Sequence, residues 1–539
     1  MRLSSSKKWI ALRQEFYLSL RAQVERRIGF QKGEILTFQN QYEKDLSGGW
    51  KRTPTPDFIK RIQESQLILL ADFHALQQSQ KAHLRILRKC NPKNVVLVLE
   101  CFYASHQKYV DRFMSGEMAE RDFLKAVEWK KSWGFAWQHY KPLLKWAMAH
   151  RIPVYGANLR TTNDDPKALY KRDVFAAQVI AEVINKHQDQ SVFVQFGDLH
   201  LAKTKLPTEI KKRTSSRLKM IRVFQNAEKI YFQLMNQGIE NQVDLVQISS
   251  DTFCLMNVPP WVKWQNYLLF LEQSLDSILR SKAAYDPVEF TDHVASHVRL
   301  ITQQLEMEVS LAALSVFTAE DQGMWSKIEK AAAPQVLTLL KTAVEEGISF
   351  YFPPAQMGYL ARPTVNHSAQ LAAQYVIFQI QKMQGPLFRF PQDFHRLIWF
   401  EGLSYFCTKL VNPKRKTDTV FDIKTSLSSP KTRAFGREAL LLSLAQKTKE
   451  LMILSGKNSA KLSFLPRRKK SYFIAGRLLG GLIGERLYYG LRKNKLNAKF
   501  FKQIFERDLL SSSFDHSYYE MLEIIETLPI EFKSKADKL

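Results

Sequence analysis

The chain has 539 residues, 45% of them hydrophobic and 12% aromatic, which is too long for one core and too apolar for a disordered chain, so two or three domains are expected. Its 79 Lys and Arg against 52 Asp and Glu leave a net charge of +27, which invites nucleic acid or an anionic membrane as partner. The basic residues are spread along the whole chain, with only local knots such as Lys211-Lys212-Arg213 and Arg467-Arg468-Lys469-Lys470, so specific nucleic-acid binding is not expected.

Residues 1–59 read as an N-terminal helical extension closed by the loop LSGGWKRTPTPD. Charge returns at Arg13 and Glu15 before an apolar run of useful length, and no lipobox-like cysteine follows, so a leader is not expected and the location expected is cytoplasmic. Residues 60–265 carry short β-rich runs near 67–72, 95–100, 152–158, 192–197, 218–224 and 252–258, with helical stretches between them. Continuous runs such as VVLVLE imply strands covered on both faces, and so a mostly parallel α/β sheet flanked by helices. Residues 266–539 read as a mainly α-helical accessory domain, with helices near 264–279, 288–307, 324–346, 367–384, 394–410, 437–454, 471–492 and 498–526. An unidentified protein partner is expected for it.

Nowhere do about 18 apolar residues run together, as a spanning helix needs. Gly476, Gly480 and Gly484 recur every four residues, a small-residue face suited to tight helix packing, with peripheral membrane contact as the lesser alternative. The four cysteines are far apart and lack a C-x-x-C pair, which suits a reducing compartment and argues against zinc-thiolate chemistry. His293 and His297 share a helical face near Glu289 and Asp292 but lack the H-E-x-x-H pattern. No G-x-S-x-G elbow, P-loop or dinucleotide fingerprint is present.

In an open parallel sheet, ligands bind where the strands' carboxyl ends meet their loops. Here those ends carry Asp72 and His74, Glu100, Asn158, then Asp198 and His200. Two imidazoles among three carboxylates suit a divalent transition metal, with His74, His200 and Glu100 as ligands. Residues two apart on an extended segment point to the same side, so Asp72 and Asp198 either add ligands or orient the two histidines. Capping of a following helix is the blander role open to Asp72, Asn158 and Asp198. If the protein is a hydrolase, Glu100 and Asp198 are the catalytic carboxylates beside a metal-bound water.

The series LADFHALQQSQKAHLRIL, VVLVLECF, WGFAWQHYKPLLKWAMAHRIPVYGANLR and VQFGDLHLAKTKLP resembles the ChaN-like haem-binding uptake family of the Tiki and erythromycin-esterase-like superfamily, over about residues 60–265. Ala71-Asp72-Phe73-His74 stands at the family's Gly-Glu-x-His, and Gly197-Asp198-Leu199-His200 at its Gly-x-x-His. Glu100, Asn158 and the segment from Trp137 to Tyr140 also correspond. Aspartate in place of glutamate at position 72 reaches about one methylene less far, which favours an orienting role.

The resemblance implies a haem- or iron-binding protein, with Asn158, Trp137, Tyr140 and Tyr103 around the pocket and Tyr155 a further tyrosine near the site edge. Its alternative is a Tiki-like metal-dependent peptidase holding Fe, Zn or Mn. A third reading is a non-catalytic interaction scaffold with a vestigial site.

Overall fold

A computed structural model describes residues 5–29, 33–162, 165–279, 290–319, 321, 323–383, 388–429, 434–457 and 462–530. The chain divides into two compact units, Arg13–Ile278 and Leu279–Lys538 with Met1–Leu12. The long first helix, Ser5–Ile28, contributes residues to both.

In the first unit the described residues form an eight-stranded sheet from β1 (Lys51–Arg52), β2 (Leu67–Asp72), β3 (Val95–Tyr103), β4 (Val154–Asn158), β5 (Ser191–Gly197), β6 (Met220–Gln225), β7 (Leu245–Ser249) and β8 (Thr252–Leu255), in the order β1-β7-β8-β6-β2-β5-β3-β4. From β8 to β4 every neighbouring pair is parallel, while β7 and β1 add antiparallel at one edge. The fold is thus a mostly parallel α/β sheet, as its continuous apolar runs imply. All six residues of LILLAD in β2 are buried, each leucine or isoleucine contributing about 1.5–3 kcal/mol. The burial needs cover on both faces, which the intervening helices supply.

β2 lies at the centre, with β5 and then β3 on one side and β6 on the other. The carboxyl ends of β2, β5 and β3 are therefore neighbours although far apart in the chain. The pairing of β3 with β4 shifts register between Leu99 and Tyr103, and such a bulge re-aims side chains, here beside Glu100. Gly156 permits it: a Cβ there would lie 2.8 Å from the carbonyl oxygen of Phe102.

The second unit is mainly helical, with a small sheet of β9 (Ser315–Phe317), β10 (Phe350–Phe352) and β11 (Met357–Tyr359) that hydropathy reading passes over because each strand has three residues. Two expected helices are each divided: residues 324–346 into Gly323–Ala331 and Pro334–Glu345, where the proline cannot continue the first helix, and residues 498–526 into Ala498–Glu506 and Phe514–Glu526. The helix Lys469–Arg492 packs closely on Phe394–Val411. A Cβ on Gly480 would sit 2.7 Å from the Gly402 nitrogen, and one on Gly484 2.8 Å from the Gly402 oxygen. His293 and His297 are buried in the helix Thr291–Leu305, and burial pushes the pKa of His297 down to about 3. Glu289 lies outside the described residues. Among the described residues no helix is long and apolar enough to cross a membrane.

Candidate functional site

Two imidazoles and a carboxylate converge where β2, β3 and β5 end. His74 follows β2 after one intervening residue, with Nε2 3.6 Å from Glu100 Oε2. His200 sits in the short turn Asp198–Leu201 after β5, with Nε2 3.9 Å from Glu100 Oε1. Gly197 lies between them. A Cβ there would come within 3.3 Å of the His200 ring, 3.4 Å of Glu100 Oε2 and 3.4 Å of His74 Nε2, so glycine keeps open the space that all three groups face. Its N–H donates to Glu100 Oε2 at 2.6 Å, fixing the carboxylate.

Each histidine has its other nitrogen held by an aspartate. His74 Nδ1 lies 3.0 Å from Asp72 Oδ2. That buried carboxylate also accepts from Tyr140 Oη at 3.0 Å, Gln195 Nε2 at 3.0 Å and Gln80 Nε2 at 2.5 Å. Burial works to raise the pKa of Asp72, but the bonds from His74 and Gln195 hold it below its ordinary value. Burial likewise opposes the charged form of His74, and the Asp72 hydrogen bond with the charge of Glu100 outweighs it, so this pKa is raised. His200 Nδ1 lies 2.5 Å from Asp173 Oδ1, in the helix Ala168–Lys186. Its pKa is also raised: burial works against it, while Asp173 and Glu100 prevail.

Asp198 does not orient His200. Its carboxylate lies 3.8 Å from Lys263 Nζ, which also donates to Glu228 Oε1 at 3.1 Å, as does Trp264 Nε1. The reason is local: Asp198 opens a 3-10 turn, where residues two apart diverge by about 240° instead of sharing one side. Nor do Asp72, Asn158 and Asp198 serve as caps. The N-caps of the helices after β2, β4 and β5 are Leu76, Lys167 and Gly197.

His74, His200, Glu100, Gly197, Asp72, Asp198, Glu228 and Lys263 line one cleft of about 330 Å³, together with Arg21, Tyr42, Phe73, Phe135, Arg172, Trp264 and Tyr267. Six carboxylates line it (Glu25, Glu43, Asp72, Glu100, Asp198, Glu228) against three permanent cations (Arg21, Arg172, Lys263), a reversal of the chain's basic balance. The Tyr42 hydroxyl is buried and, among the described residues, has no hydrogen-bond partner. The His74 ring packs against Trp133 at 4.5 Å and Phe135 at 5.0 Å between centroids.

The expected pocket residues fall elsewhere. Trp137 packs on Phe113, Phe123 and Trp129 in the core, and Tyr140 lies beneath Asp72 as its hydrogen-bond donor. Tyr103 donates to the Ser132 carbonyl at 3.4 Å under the Arg160 guanidinium, and Tyr155 meets His187. Asn158 is buried at the end of the edge strand β4, with β3 between it and β5. The tyrosines that do line the cleft are Tyr42 and Tyr267.

Asp173 carried a readable signal. It heads the buried stripe Asp173, Ala176, Ala177, Ile180 and Ala181, so a charged residue occupies an apolar face. Glu228 follows the end of β6 and falls under the same strand-end rule, applied to one more strand. Among the described residues no three or more His, Cys, Asp and Glu side chains are set as a metal site. Donors sharing one ion through bonds of about 2.1 Å lie about 3–3.5 Å apart, so the 3.6 and 3.9 Å separations at Glu100 are slightly wide.

Residues 58–163 match the family model described as haem-binding uptake, Tiki superfamily, ChaN. The matched range holds His74 and Glu100 and stops short of Asp173 and His200. No curated protein matches the chain. A solved structure described as cofacial heme binding to ChaN of Campylobacter jejuni is 18% identical, covering 33% of this chain and 88% of that one, with a TM-score of 0.27.

Proposed function

We propose that this chain, whose residues 58–163 are of the ChaN haem-binding type, binds haem or iron at the strand-end cleft, with His74 and His200 as the iron ligands. The observation that carries the reading is the matched pair of carboxylate-held imidazoles. Each Nδ1 is fixed by an aspartate and each Nε2 turns toward Glu100 over Gly197. Histidines that bind metals are held in this way, since the carboxylate sets ring orientation and raises the basicity of the free nitrogen. Phe73, Phe135 and Tyr267 offer flat apolar walls to a macrocycle, and Arg21, Arg172 and Lys263 offer partners for its carboxylates. Bound haem supplies an iron centre for ligand exchange or electron transfer; the chain's own residues hold and orient it.

The excess of carboxylates in the cleft supports a second reading, a Tiki-like metal-dependent hydrolase in which His74, His200 and Glu100 hold Fe, Zn or Mn. In either reading the helical region is accessory and partner-binding. The four free cysteines fit a cytoplasmic setting.

Haemin titration of the full-length protein, followed by visible absorption, is the test. A saturable, shifted Soret band is expected, and it is expected to vanish in His74→Ala/His200→Ala while circular dichroism stays unchanged. A band of equal strength in that variant removes the histidines from the reading. Zinc or manganese that copurifies and is lost in the variant, with no Soret band, favours the hydrolase. Neither haem nor metal leaves the interaction scaffold.

A further inference from the structure

A second cavity, of about 430 Å³, opens at the β1 edge of the sheet beside the helix Thr55–Gln63, and it shares no wall residue with the strand-end cleft. Its volume is within the range of small-ligand sites, roughly 300–1,000 Å³. Lys51, Arg52, Lys60 and Arg61 line it, against two carboxylates, Asp57 and Glu64. Among the described residues none of these four cations pairs with a carboxylate, and the one hydrogen bond made by the Arg61 guanidinium goes to the Ser250 carbonyl at 3.1 Å. Elsewhere in the same unit Arg21, Arg27, Lys141 and Arg222 each take a carboxylate within 2.7 Å. Four like charges gathered round a hollow repel one another, and an anion in the hollow reverses that cost.

One further feature of the wall bears on its ligand. The helix Thr55–Gln63 begins behind Pro54 with no side chain capping its N–H groups, although Asp57 in its first turn already meets part of its dipole. Phosphate fits these donors better than a single carboxylate does, because the guanidinium forks of Arg52 and Arg61 can each bind two of its oxygens.

We infer that this cavity binds phosphate groups, carried by a small phosphorylated molecule or by a lipid headgroup. Calorimetric titration of the full-length protein with pyrophosphate, at about 0.15 M salt to screen diffuse attraction, reads the first source. Sedimentation with phosphatidylcholine vesicles doped with phosphatidic acid reads the second. Saturable binding in at least one arm is expected, weakened about tenfold or more in Arg52→Gln/Arg61→Gln. The equally charged control Lys186→Gln/Lys211→Gln is expected to bind as the unaltered protein does. All four positions are exposed, so folding is expected to survive. Equal weakening in the two variants reduces the effect to net charge and overturns the inference, as does the absence of saturable binding in both arms.

Discussion

The two Asp-x-His endings share spacing and position at the carboxyl ends of neighbouring strands, yet only one works as a pair. After β2 one residue, Phe73, separates the strand from a turn, and Asp72 and His74 meet at 3.0 Å. After β5 it turns at once into a 3-10 helix, so Asp198 swings to Lys263 and His200 takes Asp173 from a distant helix. Spacing proposes such a pair; the backbone conformation that follows the aspartate decides it.

The largest expected effect separates the two aspartates by stability. Asp72→Ala removes an acceptor shared by His74, Tyr140, Gln195 and Gln80 and leaves buried donors unsatisfied, so a loss of about 3–5 kcal/mol is expected in urea unfolding. Asp198→Ala is expected to cost less than about 1 kcal/mol, because Lys263 keeps Glu228. Equal losses would show that the two carboxylates support the fold alike.

Next come the effects on ligand affinity. Asp173→Asn is expected to weaken haemin binding about 10–100-fold, the usual result of removing a carboxylate behind a ligating histidine. Gly197→Ala is expected to weaken binding while costing about 1–3 kcal/mol of stability or less, since its methyl enters the space shared by His74, Glu100 and His200. Unaltered affinity there would move the ligand elsewhere. The smallest effect is expected for Tyr140→Phe, about 0.5–1.5 kcal/mol in the same unfolding assay, because Asp72 keeps its other donors.

Much of this arrangement was legible from residues alone. Apolar runs marked β2 to β6 and β8 to within a few residues, because strands buried on both faces admit few polar positions. β1 has two residues, and β7 is buried only over its first two residues at the sheet's antiparallel edge, so neither stands out from its surroundings. The strand-end rule brought forward His74, Glu100 and His200, which do meet. It could not bring forward Asp173, which lies in a helix, nor Lys263 and Tyr42, whose approach depends on how helices pack over the sheet. Trp137 and Tyr140 carry the family's aromatic pattern but face the core, where ring packing and support of Asp72 account for them.

The most direct measurement is one haemin titration run in parallel on the unaltered protein, Asp72→Asn, Asp173→Asn and Asp198→Asn. A saturable Soret shift is expected, weakened about 10–100-fold in the first two variants and changed less than about threefold in the third. A titration in which Asp198→Asn weakens binding and Asp173→Asn does not would contradict it, as would no Soret shift in the unaltered protein.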